Sequence, residues 1–218
     1  EIITSDWSSD VCSSDLGSLY LAGTDGYRLA ERCLVSTESE VAAIIPTNSL
    51  QEALRVINDN TGQVTILFDE SQVRFKIDDT EITSQLIDGN FPPYRQLIPV
   101  SNETNVIIKK DDFMRITKIA GLFSRDSGGS VTITADSEKG ELSLHSVASE
   151  LGENTSEATA KIEGGGTITL NSRYISEALS VIDGDTVKFS FSGKLAPTVF
   201  ESNEKNSNYK HIIMPLKS

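Results

Sequence analysis

The stretch RDSGGS at residues 125–130 has the first residue types that could do chemistry, because Asp-Ser-Gly-Gly is a setting in which trypsin-type proteases hold a nucleophilic serine. Such a serine needs a histidine base oriented by a carboxylate, both upstream of the serine in that class. The chain's two histidines, His145 and His211, both follow Ser127. Asp, Ser and Gly after an amphipathic segment instead predict a helix stop, which leaves a serine hydrolase built on Ser127 as the weaker alternative. Glycines 164–166 lead into Thr167, Ile168 and Leu170, a strand pattern, whereas a phosphate cradle opens a helix. Asp78 and Asp79 read as a solvated hairpin end rather than an acid–base couple. Cys12 and Cys33 have no metal-ligand spacing, and a reducing compartment is expected for them. No active site, metal or cofactor is therefore expected.

Two other groups of residues are too large or too charged for their setting. In GTDGYRLAER, residues 23–32, Asp25 and Gly26 form a tight-turn pair, followed at once by Tyr27, Arg28 and Leu29. At residues 110–124, Arg115, Lys118 and Arg125 fall within an arc of about 80° on a helical wheel, opposite Ile116, Ile119, Ala120 and Phe123. The chain carries 19 Lys and Arg against 32 Asp and Glu, a formal charge of −13. That balance argues against a broadly basic nucleic-acid binder, yet the acidic residues concentrate in strands and turns, so a basic helix face would stand apart from an acidic sheet side.

The elements that must position these residues follow from periodicity. Helices are predicted over residues 47–58 (burying Leu50, Ala53, Leu54 and Ile57, with Ser49 and Glu52 as a capping box), 110–124 (burying Phe113, Ile116, Ile119, Ala120 and Phe123) and 171–183 (burying Tyr174, Ala178, Leu179 and Ile182). Each leads into an alternating strand: Val64, Ile66, Phe68; Val131, Ile133; Val187, Phe189, Phe191. LQEALRVIND and YISEALSVID share Glu-Ala-Leu and Val-Ile about 125 residues apart, which predicts two similar domains in tandem, each with a helix on antiparallel sheet. PVSNE, residues 99–103, has linker composition and is the expected boundary. Residues 5–16 (SDWSSDVCSSDL) lack either period and read as a foreign or mis-assembled end.

At 218 residues with 38% hydrophobic and 23% charged content, the composition is that of a soluble globular chain able to form two cores. Glu1 is followed by no basic-then-apolar leader and no apolar run of about 20 residues occurs, so a cytoplasmic protein with no membrane contact is expected. The absence of an initiator Met makes the chain read as a fragment.

Taken together, TDGYRLA (24–30), IPTNSLQEAL (45–54), LIDGNFPPYRQLIP (86–99), FSRDSGGSV (123–131), NSRYISEAL (171–179) and HIIMPLKS (211–218) resemble the bacterial sliding clamps, the beta subunits of DNA polymerase III. The resemblance runs from about Gly17 to the C-terminus. It implies the α+β DNA-clamp fold: tandem domains with antiparallel sheets outside and helices on the inner face, closed in the family into a homodimeric ring around duplex DNA. On this basis residues 1–16 are set apart, 17–102 are most of a middle domain and 103–218 a C-terminal domain. The resemblance further implies no catalysis, DNA contacts from Arg115, Lys118 and Arg125, and a pocket that takes short peptides of partners such as the polymerase alpha subunit, the clamp loader and repair proteins. Carried over position by position, that pocket uses Thr24, Gly26, Tyr27, Arg28, Leu29, Pro92, Leu97, Asn171, Tyr174, Leu195, Pro197, Ile212, Met214, Pro215 and Leu216, with residues 27–29 exposed. Gln96 replaces a commonly basic residue, and the chain ends Lys217-Ser218 rather than Arg-Leu.

Overall fold

In a computed structural model, residues 9–15, 17–38, 41–91, 93–149, 152–205 and 207–217 are described, with backbone alone for 9–15. The chain divides into two compact units, one up to Pro93 and one from Tyr94 onward. The division falls nine residues before the boundary expected at 102/103. The segment between belongs to the second unit: Tyr94 is buried, and Asn102 accepts hydrogen bonds there from Asn105 Nδ2 at its carbonyl and from Ser192 at its side chain.

The first unit has a four-stranded sheet, β4-β1-β2-β3, from β1 (Ser9–Asp15), β2 (Ser18–Thr24), β3 (Arg28–Ser36) and β4 (Ala42–Pro46). Helix α1 (Thr47–Val56) follows, then the meander β5 (Val64–Phe68), β6 (Gln72–Ile77) and β7 (Thr80–Gln85). β6 has the alternation of a half-buried strand, with Val73, Phe75 and Ile77 inward, and these pack with Ile45, Leu50 and Ala53 as the core. Asp78 and Asp79 form the β6–β7 turn, Asp78 at φ 49°. The expected capping box is absent. Pro46 supplies the N-cap without a side-chain hydrogen bond, so the helix starts before Ser49, whose hydroxyl instead meets that of Ser84 at 2.6 Å.

Strand β1 falls within residues 5–16, the segment that reads as a foreign or mis-assembled end. It pairs on one side with β2 (Cys12 opposite Leu21) and on the other with β4 (Cys12 opposite Ala43). A strand bonded on both edges is held by backbone hydrogen bonds, which need no side-chain period. Residues 5–8 lie outside the described residues. β2 also separates Cys12 from Cys33, and two strand spacings, about 9.5 Å, exceed the Cα separation a disulfide allows. Cys33 is a thiol outside any disulfide.

The second unit contains β8 (Thr104–Lys109), α2 (Lys110–Phe123), β9 (Ser130–Asp136), β10 (Glu141–Ala148), β11 (Gly152–Thr159), the short β12 (Lys161–Glu163), β13 (Gly166–Asn171), α3 (Ser172–Val181), β14 (Thr186–Phe191), β15 (Thr198–Ser202) and β16 (Tyr209–Ile213). A 3₁₀ turn, Tyr94–Leu97, precedes them. The order has an internal two-fold character: strand–helix–three strands occurs twice, and each first strand joins the other repeat's sheet. Thus β13 pairs with β9 beside β10 and β11, and β8 pairs with β14 beside β15 and β16. The two repeats cannot separate without breaking both sheets.

Helices α2 and α3 run antiparallel. Ser124 Oγ lies 3.1 Å from Ser172 Oγ at one end, and Lys110 Nζ donates to the Ile182 carbonyl at 3.0 Å at the other, where a cation suits a helix C-terminus. Their facing sides carry Phe113, Ile116, Thr117 and Ala120 from α2, and Ile175, Ala178 and Leu179 from α3, all buried. Of the predicted faces, Ile119, Phe123 and Tyr174 are half-buried, and Thr117 and Ile175 complete the set. Phe113 packs against Phe189 and Phe200 with ring centroids 5.8 and 6.1 Å apart, joining helix to sheet.

Candidate functional site

The hairpin at residues 24–28 is built around Asp25. Its Oδ1 accepts from the backbone N–H groups of Tyr27 (2.9 Å) and Arg28 (3.0 Å), and its Oδ2 pairs with Arg28 Nε at 2.9 Å. Thr24 Oγ1 accepts from Gly26 N–H and donates to the Arg28 carbonyl at 2.8 Å, while Gly26 takes φ 86°, open to glycine at no steric cost. The consequence differs from the expectation of three exposed side chains. Tyr27 is 66% exposed, but Arg28 and Leu29 are buried, at 2% and 4%. A strand's alternation cannot bury two consecutive residues on one face, so the pair marks the point where turn becomes strand: Arg28 folds back onto Asp25 and Leu29 faces the core. Asp25 is the residue the sequence reading passed over as a turn former, and the Asp-Gly pair was its signal.

In the second unit, the predicted residues lie at the start of α3, in the β14–β15 loop, and on β16 and the tail that follows it. Strand β15 lies antiparallel to β16 with Thr198 opposite Ile213, and Thr198 Oγ1 donates to the Ile213 carbonyl at 2.9 Å, which sets Pro197 level with Met214. The tail then turns toward β13, where Leu216 N–H donates to the Thr169 carbonyl at 2.9 Å, two residues before Asn171. Met214, Pro215, Leu216, Pro197 and Tyr174 are half-buried, and Leu195 is 69% exposed. Ile212 is buried in the sheet and supports this surface from below. Leu97, on the 3₁₀ turn, is exposed. Pro92 lies outside the described residues.

Asn171 has a second task. Its Oδ1 accepts from Arg173 N–H at 2.9 Å, capping α3, and its Nδ2 donates to the Gly128 carbonyl at 3.1 Å. Ser172 N–H donates to the Gly129 carbonyl, and Gly129 N–H to the Ser124 carbonyl, each at 2.8 Å. Asn171 thus ties the RDSGGS turn to the first turn of α3, two motifs that lie 43 residues apart. Ser127 belongs to this turn: its Oγ donates to the Ser124 carbonyl at 3.0 Å, as a helix stop requires. The histidines are engaged elsewhere, His145 Nδ1 with Thr155 Oγ1 and His211 Nδ1 with the Tyr209 hydroxyl. No triad forms.

The basic positions on α2 are exposed, with two corrections. The helix ends at Phe123, so Arg125 sits in the following turn and its place on a helical wheel does not apply. Arg115 lies 3.4 Å from Asp112 one turn back, and Arg55 and Arg173 likewise pair with Glu52 and Glu177 on their own helices. Charges are therefore less segregated than expected. Such exposed pairs contribute about 0–1 kcal/mol and exchange readily for another anion. Lys118 and Arg125 have no ion pair among the described residues.

Antiparallel sheets that exchange their first strands around antiparallel helices, followed by an apolar tail laid against the N-terminal end of one helix, define a clamp-type α+β fold. The chain belongs to the DNA polymerase III beta subunit family: the family's central domain matches residues 11–93 and its C-terminal domain residues 95–217. It is similar to the beta sliding clamp of Staphylococcus epidermidis, at 32% identity over 205 residues, 92% of this chain and 54% of that protein. The beta sliding clamp of Staphylococcus aureus is 31% identical over 206 residues. Among solved structures, the DNA polymerase sliding clamp of Bacillus subtilis superposes with a TM-score of 0.90 at 27% identity, covering 97% of this chain and 57% of that one. The chain thus spans about half the length of these relatives. Among the described residues no helix is long and apolar enough to cross a membrane.

Proposed function

We propose that this chain acts as part of a DNA sliding clamp, a processivity factor that holds the replicative polymerase and other partners on duplex DNA and performs no chemistry of its own. One observation carries the reading: both units match consecutive domains of one clamp family, in order, over residues 11–217. In this function Arg115, Lys118 and Arg125 touch phosphates without reading sequence, and exposed side chains, of which only Arg115 has an ion pair and that a loose one, suit contacts that must break as the protein slides. Closure of a homodimeric ring belongs to the same proposal. So does recognition of a short Leu- and Phe-bearing peptide from the polymerase alpha subunit, the clamp loader or repair proteins by the hairpin and tail residues. Support for the peptide role comes from the second unit, where Met214, Tyr174 and Pro197 are half-buried, Leu195 is exposed, and the tail is bonded to β13 through Leu216 just before α3.

The test is a titration with a Gln-Leu-x-Leu-Phe peptide followed by calorimetry, alongside DNA binding across a salt series. Met214→Ala is expected to weaken the peptide about tenfold, roughly 1.4 kcal/mol, and leave DNA association unchanged. Charge reversal at Arg115, Lys118 and Arg125 does the opposite, weakening DNA binding and lowering its salt slope by about one per lost contact. Unchanged salt slopes remove the DNA role, and unchanged peptide affinity removes the tail from recognition.

A further inference from the structure

One sheet face in the second unit departs from the acidic sheet side that the charge pattern predicts. Strands β12, β8, β14, β15 and β16 lie side by side, and their registers place Lys161 opposite Ile107, Ile107 opposite Lys188, Lys188 opposite Glu201 and Glu201 opposite Lys210. These five residues form one row across the sheet, on the face opposite buried Val106, Val187, Phe189 and Phe200. A lysine therefore stands on every second strand. Lys109 and Glu163 lie in the flanking rows, so the face holds four lysines against two glutamates in a chain of charge −13. Two hollows follow the row. One, of about 270 Å³, is lined by Lys188, Glu201, Lys210 and residues 98–102, and the other, of about 240 Å³, by Lys161, Glu163 and Lys188. They share Asn105 as well as Lys188 and make one groove. Its wall is pinned: Ser190 Oγ donates to Asn105 Oδ1 at 2.9 Å, and Asn105 Nδ2 to the Asn102 carbonyl at 3.2 Å. Val100 in that wall is fully exposed.

We propose that this groove binds an acidic segment of a partner protein in the polyproline II conformation, with a carboxylate at every third residue. The spacing carries the argument. Lysines two strands apart are separated by about 9.5 Å, and a polyproline II helix brings every third residue to the same side after about 9.3 Å. An extended strand repeats its face after about 6.7 Å and falls out of step. An α-helix matches only at every seventh residue and needs an apolar face of its own to bury, which a row of lysines does not supply. The charges are available: Lys210 has no ion pair among the described residues, and Lys188 and Lys161 have only Glu201 at 2.9 Å and Glu163 at 3.5 Å, surface pairs that exchange for another carboxylate. Residues between the carboxylates meet Ile107 and Val100, contacts that suit proline rings. Single-stranded nucleic acid fits less well, because no aromatic side chain lines either hollow to stack a base.

The probe is the peptide Glu-Pro-Pro-Glu-Pro-Pro-Glu, titrated into the full 218-residue chain while backbone amide shifts are followed by NMR. Its controls are the isomer Pro-Pro-Glu-Glu-Glu-Pro-Pro, the same peptide with Gln for Glu, and a hexathymidylate. The expected result is shifts on β8, β14, β15 and β16, binding that weakens with salt, an isomer at least threefold weaker, and no binding of the Gln peptide. Lys188→Gln and Lys210→Gln should each weaken the first peptide about threefold. Glu201→Gln, which releases Lys188, should tighten it by a similar factor. Equal binding of the isomer would reduce the site to net charge, and preference for the hexathymidylate would give the groove to nucleic acid. Either result, no shifts on these strands, or weaker binding by Glu201→Gln would overturn the proposal. The readout uses neither duplex DNA nor the Leu- and Phe-bearing peptide, and Met214→Ala should leave it unchanged, so it stands apart from the clamp function.

Discussion

The contact between Asn171 and Gly129 allows a double-substitution test of how the turn and helix are joined. Gly129 has φ 83°, and a Cβ placed on it would lie 2.9 Å from Asn171 Oδ1 and 3.1 Å from its Nδ2. Gly129→Ala therefore has two costs: about 1–2 kcal/mol for an L-residue in the left-handed region, and displacement of the Asn171 side chain. Displacement removes the α3 cap, about 1 kcal/mol, and the bond to the Gly128 carbonyl, about 1 kcal/mol more. The single variant should thus lose about 3–4 kcal/mol. Asn171→Ala loses only the two bonds, about 2 kcal/mol. In the double variant those bonds are already gone and the clash has no partner, so the total should remain about 3–4 kcal/mol instead of the additive 5–6. Urea denaturation, with hydrogen exchange of the α2 and α3 amides to isolate the second unit, measures all three. Asn171→Ser, which keeps a cap but cannot reach Gly128, should fall midway. Additive losses would refute the argument, because they would mean that the Cβ and the amide do not compete for the same space.

Three further outcomes follow from particular residues. Gly164→Ala should destabilise the second unit by about 3 kcal/mol in a thermal or urea melt, since φ is 80° and the new Cβ collides with the Glu103 carbonyl where β12 meets β8. Ser127→Ala should change stability by less than about 0.5 kcal/mol, and a serine-reactive phosphonate should leave the wild-type chain unlabelled, because the hydroxyl is exposed and only supports the turn. Asp136 is held below the ordinary aspartate value chiefly by the backbone N–H of Lys139, so its contribution is present above pH 3.8 and lost as pH falls through the lowered value. An NMR titration should place its midpoint below 3.8, and Asp136→Asn should flatten the acid limb of the stability curve.

The local elements were legible because their signals are local. The 3.6-residue period at residues 47–56, 110–123 and 172–181 gave each helix within two residues, and the shared Glu-Ala-Leu and Val-Ile placed two helices as counterparts. The departures came from contacts that residue period and spacing rules do not carry. SDVCSSD has no strand period, yet β1 is fixed by β2 and β4 on either side. Arg28 follows a turn and resembles a surface residue until Asp25 draws it inward. The capping box at Ser49 and Glu52 satisfied a spacing rule, but Pro46 had already set the helix start.

The sequence by itself determined the three helices, the alternating strands that follow them and the turns between them, since these depend on residue type, order and short-range spacing. Tertiary structure alone decided the exchange of β8 and β13 between sheets and the joining of the RDSGGS turn to α3 through Asn171. Each rests on backbone groups finding partners many residues away, and a backbone amide looks the same in every residue but proline.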